Sequence, residues 1–288
     1  MYTPGATGQP KGVMVGHGNV VSLVKDVDYV SLSEEDILLS TGSPSFDATT
    51  FEYWSMLLNG GHLVLCAEAV MLDSALLKAE IRSRKVTQML FITGWFNQLI
   101  DTDIAVFEGL RTVLIGGDKV SKEHVEKLQQ VYPSITLVNC YGPTENTTIS
   151  LTHRINSTGA DIPVGRPLSN RQAYILGANG KLCPIGIAGE IYVGGAGVAK
   201  GYLNRPELTG QRFVEDRFSG RPGVKLYRTG DMGRWQPDGT ILFMGRQDDQ
   251  VKVRGYGVEP GEIEYVLQQS PGVAQSAVIV IADGDGHK

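Results

Sequence analysis

Across the first two-thirds of the chain, short apolar runs alternate with stretches of helical spacing, and this alternation sets the tightest limit on the fold. Leu38–Ser40, His62–Leu65, Gln88–Phe91, Thr112–Ile115 and Thr136–Asn139 read as buried strands. Between them, Leu72–Arg84 and Ser121–Val131 space their apolar residues as helices do, with Ser121 suited to an N-cap and Glu123 to the first turn. Strand–helix alternation predicts an α/β fold, a parallel sheet covered by helices.

From about Arg166 the pattern shortens. Gln172–Leu176, Gly189–Val193, Gly233–Gln236 and Thr240–Met244 read as strands, with Pro237-Asp-Gly239 as a turn between the last two. An antiparallel, barrel-like subdomain packed on the α/β part is expected. The chain turns polar at Gln247-Asp-Asp-Gln250. A strand at Val251–Arg254, a helix at Gly261–Gln269 and a strand at Gln275–Ala282 follow. We therefore expect a large unit over residues 1–247 and an incomplete small α+β C-terminal domain over 248–288.

Composition narrows the class. The 288 residues are 42% hydrophobic and 20% charged, as in an ordinary soluble protein. A net charge of −5 without a basic run argues against a nucleic-acid partner. Cys66, Cys140 and Cys183 are odd in number and widely spaced, so they suggest buried thiols in a reducing cytoplasm, not a disulfide framework or metal site. No apolar run approaches the roughly 18 residues of a membrane span.

Four loops carry chemistry. Tyr2–Gly12 combines glycines, hydroxyls and Lys11, a composition that lets backbone N–H groups and one ammonium approach a polyphosphate. Asn139–Glu145 follows a strand directly and offers an amide, an aromatic face, a hydroxyl and a carboxylate. Tyr227–Asp231 sets a carboxylate after what reads as a tight glycine turn, suited to a ribose diol, and Gly245–Asp248 adds a cation. In open α/β sheets ligands bind beyond the carboxyl ends of the strands. Taken singly, each loop also reads as an ordinary turn with satisfied polar side chains.

Taken in order, the set resembles the adenylate-forming superfamily, and within it the adenylation domains of nonribosomal peptide synthetases. The family's phosphate loop TSGTTGxPKG is matched by Thr3–Gly12, its aromatic-Asp motif by Phe46-Asp47 and its YGPTE loop by Tyr141–Glu145. Its GEI-x-V-x-G-x-G-x-A-x-GYL signature is matched by Gly189–Leu203. The Y-[KR]-TGD, GRxDxQVKxRG and GEIE elements are matched by Tyr227–Asp231, Gly245–Gly255 and Gly261–Glu264.

The resemblance implies ATP-dependent activation of an amino acid to its aminoacyl-AMP. Transfer to the phosphopantetheine of a peptidyl carrier domain follows, with a condensation domain as a further partner. It implies that Thr3, Thr7, Gly8 and Lys11 hold the β- and γ-phosphates, that Tyr141 stacks on adenine and that Asn139 meets the amino edge of adenine. Thr144 would touch the α-phosphate, Glu145 would hold Mg²⁺, and Asp231 would bind the ribose hydroxyls with Arg246 close by. Asp248 would be the hinge of the small domain.

Asp47 also suits a helix N-cap, as does Ser45. With the resemblance it marks an amino-acid substrate, since a carboxylate offsets the cost of desolvating an ammonium group. The remaining pocket positions implied are Ala48, Phe51, Trp95, Ile115, Gly117, Cys140, Thr148 and Ile149. They are apolar apart from one hydroxyl and resemble the family's valine pattern, differing at Cys140 and Ile149. Valine or a close branched-chain neighbour is expected.

Departures from the family are Pro4 and Ala6 in the phosphate loop and Gly257 and Pro260 near the small domain. A chain that enters its phosphate loop at the second residue, and stops before the family's C-terminal lysine, reads as truncated at both ends. The competing expectation is a non-catalytic remnant that keeps the fold and binds nucleotide without turnover.

Overall fold

Residues along the central strands alternate between two hydrophobic cores: Val113, Ile115 and Leu137 join one, and Leu114 and Val138 the other. That two-residue period is what a strand buried on both faces requires. The computed structural model describes residues 1–3, 10–157, 159, 161–247, 251–253, 256–258, 260–270, 272–273, 275–279 and 281. Its larger sheet runs His62–Leu65, Ile37–Ser40, Gln88–Ile92, Thr112–Gly116, Thr136–Tyr141, Leu151–Arg154 and Arg166–Pro167. The first five strands are parallel and the last two antiparallel.

All five expected parallel strands are present. His62–Leu65 differs from expectation in being an edge strand, with Leu65 67% exposed, because among the described residues it pairs with Ile37–Ser40 alone. Ser74–Arg84, Thr93–Thr102 and Lys122–Val131 cover one face through Leu77, Ile81, Phe96, Leu99, Val125 and Leu128. His17–Val24 and Ala48–Leu57 cover the other through Leu23, Val24, Phe51 and Met56.

Local chemistry sets the helix starts. The helix expected from Leu72 begins at Ser74, because the Asp73 carboxylate accepts from the N–H groups of Ala75 at 2.8 Å and Leu76 at 3.1 Å. Ser121 occupies the N-cap position as expected, but its hydroxyl meets the His124 ring at 2.6 Å and caps no N–H.

The second sheet is antiparallel throughout. Arg171–Leu176 pairs with Gly189–Gly195, which pairs with the long strand Lys225–Trp235. Phe213–Glu215 and Ile241–Arg246 flank opposite halves of that strand. Tyr227–Asp231, expected as a tight turn, lies inside it. Tyr192 pairs with Arg228 but Glu190 with Met232, so two steps on one strand meet four on the other. The positive φ of Gly230, +77°, belongs to this bulge and not to a chain reversal. An isolated bridge between Gly165 and Ile241 joins the two sheets.

Beyond residue 250, Val251–Val253 pairs antiparallel with Tyr256–Val258, and Pro260–Gln268 is a helix. The expected strand over Gln275–Ala282 is not formed in its described residues, 275–279 and 281, which pair with no other strand. A strand without a neighbour has no ladder to hold it. Of the expected boundary between 247 and 248, Gln247 is described and Asp248 lies outside the described residues. Among those described, no helix is long and apolar enough to cross a membrane.

Candidate active site

Where the carboxyl ends of the parallel strands meet the antiparallel sheet lies a cavity of about 760 Å³. Its wall includes Asp47 and Ala48 beyond the Ile37–Ser40 strand, Trp95 beyond Gln88–Ile92 and Gly117 beyond Thr112–Gly116. The Thr136–Tyr141 strand contributes Asn139, Cys140 and Tyr141 and leads into Thr144 and Glu145. Asp231 and Arg246 enter from the antiparallel side, and Thr3 and Lys11 from the start of the chain.

At one end, Asp231 is held from two directions. The Tyr141 hydroxyl donates to Oδ2 at 2.5 Å, and Arg246 Nη1 donates to Oδ1 at 2.6 Å. The bulge aims this carboxylate: the Thr229 hydroxyl donates to the Ile191 carbonyl at 2.7 Å and accepts from the Asp231 N–H at 2.9 Å. Burial, with the neighbouring Asp231 charge, pushes the Tyr141 phenol well up, so it remains a donor. The Asn139 amide donates to the Pro163 carbonyl at 2.8 Å.

A second cluster surrounds Glu145. Lys11 Nζ lies 3.9 Å from Glu145 Oε1, which also accepts from the Tyr202 hydroxyl at 2.6 Å. The flanks of the phosphate loop are pinned together, Thr3 pairing with Lys11 and Tyr2 with Gly12. Thr7 and Gly8, and the departures Pro4 and Ala6, lie outside the described residues, as does Asp248.

The third cluster holds Asp47. It occupies the N-cap position of Ala48–Leu57 but caps no N–H; its Oδ2 accepts from the Thr144 hydroxyl at 2.5 Å. The Thr148 hydroxyl donates to the Asp47 carbonyl at 2.9 Å. The loop that supplies Thr144 and Thr148 is strained, since Thr147 and Thr148 adopt φ of +55° and +64°. β-branched residues seldom occupy that region. Buried Arg171 secures it, donating to the carbonyls of Asn146 and Thr147. Desolvation draws the Arg171 guanidinium down to about 10, which leaves it charged at neutral pH. Gly142 is required by space, because an added Cβ would stand 2.5 Å from the Thr148 carbonyl.

Two expected pocket residues are not on the wall. Ile115 alternates onto the face shared with Phe91, and Phe51 packs beside the Tyr29 ring, centroids 6.2 Å apart; neither is exposed at all. The other expected pocket residues line the cavity. Trp95 is braced on Phe91 at 5.1 Å, and burial pushes the Cys140 thiol well up, keeping it neutral.

The sequence reading assigned nothing to Glu52, Arg212 or Tyr202. Glu52 and Arg212 line the cavity. Glu52 accepts from the Ser40 hydroxyl at 2.7 Å and from the N–H groups of Thr41 and Gly42, both at 3.3 Å, tying its helix to the strand end that leads to Asp47. Only its place five residues after Asp47 hinted at this. Among the described residues no group of three or more His, Cys, Asp or Glu could enclose a metal ion. A single buried carboxylate such as Glu145 does fit Mg²⁺ carried in on phosphates, which takes one or two carboxylates and keeps several waters.

Residues 1–203 match the AMP-binding enzyme family. Along its whole length the chain is 45% identical to Gramicidin S synthase 2 of Brevibacillus brevis, spanning 6% of that protein. It is 48% identical over 281 residues to Surfactin synthase subunit 2 of Bacillus subtilis (strain 168), a match covering 97% of this chain and 8% of that one. In structure it is similar to holo-PA1221, an NRPS protein containing adenylation and PCP domains bound to a vinylsulfonamide inhibitor. The TM-score is 0.90 and the identity 35%, over 95% of this chain and 48% of the other. The Klebsiella oxytoca NpsA N-terminal subdomain, in complex with 3-hydroxybenzoyl-AMSN, gives a TM-score of 0.78 at 30% identity, over 85% and 61% of the two chains.

Proposed function

The chain belongs to the AMP-binding enzyme family, and from that membership we propose that its cavity joins an amino acid to ATP as an aminoacyl-AMP with release of pyrophosphate. The observation that carries the reading is the gathering of Asp47, Thr144, Glu145, Lys11, Asp231 and Arg246 around one cavity from segments far apart in sequence. A carboxylate oxygen of the amino acid attacks the α-phosphorus. The bond to the bridging oxygen breaks, and pyrophosphate leaves with the electron pair. The difficulty is an anion attacking a polyanion, so positioned cations and N–H donors do most to lower the barrier.

In this reading Tyr141 supplies a face for adenine, with Asn139 at its amino edge. Asp231, held by Tyr141 and Arg246, accepts from the ribose hydroxyls. Lys11 faces the β- and γ-phosphates with Thr3, Thr7 and Gly8, and Thr144 lies at the α-phosphate. Mg²⁺ bound with ATP would neutralise phosphate charge, with Glu145 as its carboxylate ligand. The neighbours named as adenylation–PCP proteins support delivery of the product to the phosphopantetheine thiol of a peptidyl carrier domain. The synthetase relatives support a condensation domain in the same assembly. Residues 248–288 would begin the unit that swings about Asp248 between the two half-reactions.

For the amino acid we propose valine or a similar branched aliphatic. Asp47 takes its ammonium group. The wall from Ala48, Trp95, Gly117, Cys140 and Ile149 is apolar, and the Thr148 hydroxyl is already spent on the Asp47 carbonyl. One methylene is worth only about 1–3 kcal/mol of discrimination, so isoleucine and leucine leak through. The test is amino-acid-dependent ATP–pyrophosphate exchange, on this chain and on a form extended at both ends. Valine should lead the panel. An acidic or basic amino acid in first place would refute the pocket reading, and an extended form that binds ATP but exchanges with nothing would refute catalysis.

A further inference from the structure

Between Lys11 and Glu145 stands a side chain that belongs to neither of their motifs. Backbone hydrogen bonds lace the 200–203 segment to the base of the phosphate loop. The Met14 N–H donates to Gly201 at 2.9 Å, the Lys200 N–H to Met14 at 2.9 Å and the Leu203 N–H to Gly12 at 2.7 Å. From the other side, the Ala199 N–H donates to the Glu145 carbonyl at 2.9 Å. Tyr202 is thereby fixed where the two segments meet. It is 2% exposed, with its ring packed edge-on against Phe213 at 5.3 Å.

Both ends of this tyrosine are in use. The Lys11 ammonium stands 5.1 Å from the centre of its ring, within reach of the negative π face. Its hydroxyl donates to Glu145 Oε1 at 2.6 Å. A phenol has one proton, so the 3.2 Å contact with the Tyr227 hydroxyl is a donation from Tyr227. The resulting chain, Tyr227 to Tyr202 to Glu145, is polarised in one direction, toward the carboxylate.

We propose that Tyr202 is a positioning residue that presents Glu145 and Lys11 together to a magnesium–nucleotide polyphosphate. Tying down Oε1 fixes where the second carboxylate oxygen lies. The ring face holds the ammonium beside it without adding charge. Before ligand arrives Lys11 and Glu145 balance one another; on binding, each exchanges that partner for a stronger one of opposite sign, and Tyr202 keeps both in place. The inference rests on the proposed reading of the cavity as an ATP site.

The test is ATP binding followed by calorimetry with Mg²⁺ and with EDTA. In the wild-type chain Mg²⁺ should strengthen binding. In Tyr202→Phe, which keeps the ring, that gain should shrink about tenfold, the scale of a hydrogen bond to a charged group. Binding in EDTA should change little, because Lys11 retains an aromatic face. Phe213→Leu disturbs the packing of the ring but spares the hydroxyl; it should lower the melting temperature and keep the Mg²⁺ gain. A wild-type gain in Tyr202→Phe, or an equal loss in Phe213→Leu, would overturn the proposal. A wild-type chain that binds no ATP under either condition overturns the nucleotide reading itself, and the role of Tyr202 with it.

Discussion

The Tyr141 hydroxyl donates to Asp231 Oδ2 at 2.5 Å although 90 residues separate the two in sequence. This contact joins the parallel sheet to the antiparallel one at the mouth of the cavity. It also turns two loops that look like separate motifs into one binding surface.

Removing the carboxylate should therefore cost more than removing the hydroxyl. Asp231→Ala takes away the group that Tyr141 and Arg246 share, and loss of one partner from a buried pair costs about 3–5 kcal/mol. Tyr141→Phe should cost about 1.5–3 kcal/mol, the worth of one hydrogen bond to a charged group, and keep the face proposed for adenine, leaving ATP affinity nearly intact. Urea unfolding and nucleotide binding measure both. Equal effects from the two variants would contradict the arrangement.

Asp47 is predicted to separate the two substrates. Asp47→Asn keeps a side chain able to accept from Thr144 but loses the charge offered to an ammonium group. The KM for the amino acid should rise roughly tenfold or more, while the KM for ATP stays within about twofold. A parallel rise in both constants would assign Asp47 to the loop and not to the substrate.

Thiol labelling should follow burial. Cys140 is buried, and desolvation raises its thiol far from thiolate formation, whereas Cys66 and Cys183 are partly accessible. With a maleimide at neutral pH, mass spectrometry should find Cys140 the slowest to react. An early label on Cys140 would mean that the pocket wall opens.

Glu52 predicts a pH dependence of stability. Burial raises its carboxyl above the ordinary value, and donation from Ser40, Thr41 and Gly42 offsets this only in part. The folded chain thus binds this proton more tightly than the unfolded chain. That contribution is fully present below the unfolded value of 4.5 and is lost as pH rises through the raised one. Relative to wild type, Glu52→Gln should gain stability progressively over the pH range just above 4.5. A difference that is flat across this range would mean that Glu52 titrates normally.

Legibility varied with the range of the interactions. Strands such as Thr112–Gly116 and Thr136–Tyr141 were readable because burial on both faces leaves a continuous apolar run. Ala48–Leu57 was not, since it buries Thr49, Thr50, Glu52 and Ser55 among its apolar residues and so shows no clean stripe. The motif loops announced Tyr141, Glu145 and Asp231 by residue type. Their partners depend on pairings that no local pattern encodes, as with Tyr202, 57 residues from Glu145. Phe51 and Ile115 lie off the cavity wall for a related reason. Both carry the right chemistry, but both are fully buried, Ile115 in the core it shares with Val113 and Leu137 and Phe51 in the core beside Tyr29.

The bulge at Gly230 makes the site depend on arithmetic as well as on chemistry. Side chains alternate along a strand, so dropping a single residue between Arg228 and Met232 would put the two halves of Lys225–Trp235 out of phase with each other. If the half carrying Tyr227 kept its place, Asp231 would turn away from Tyr141; if the other half did, Tyr227 would leave its contact with the Tyr202 hydroxyl. A frame-preserving deletion of one codon would therefore cost more than the one side chain it removes, and reading the spacing of this stretch tells as much about competence as reading its letters.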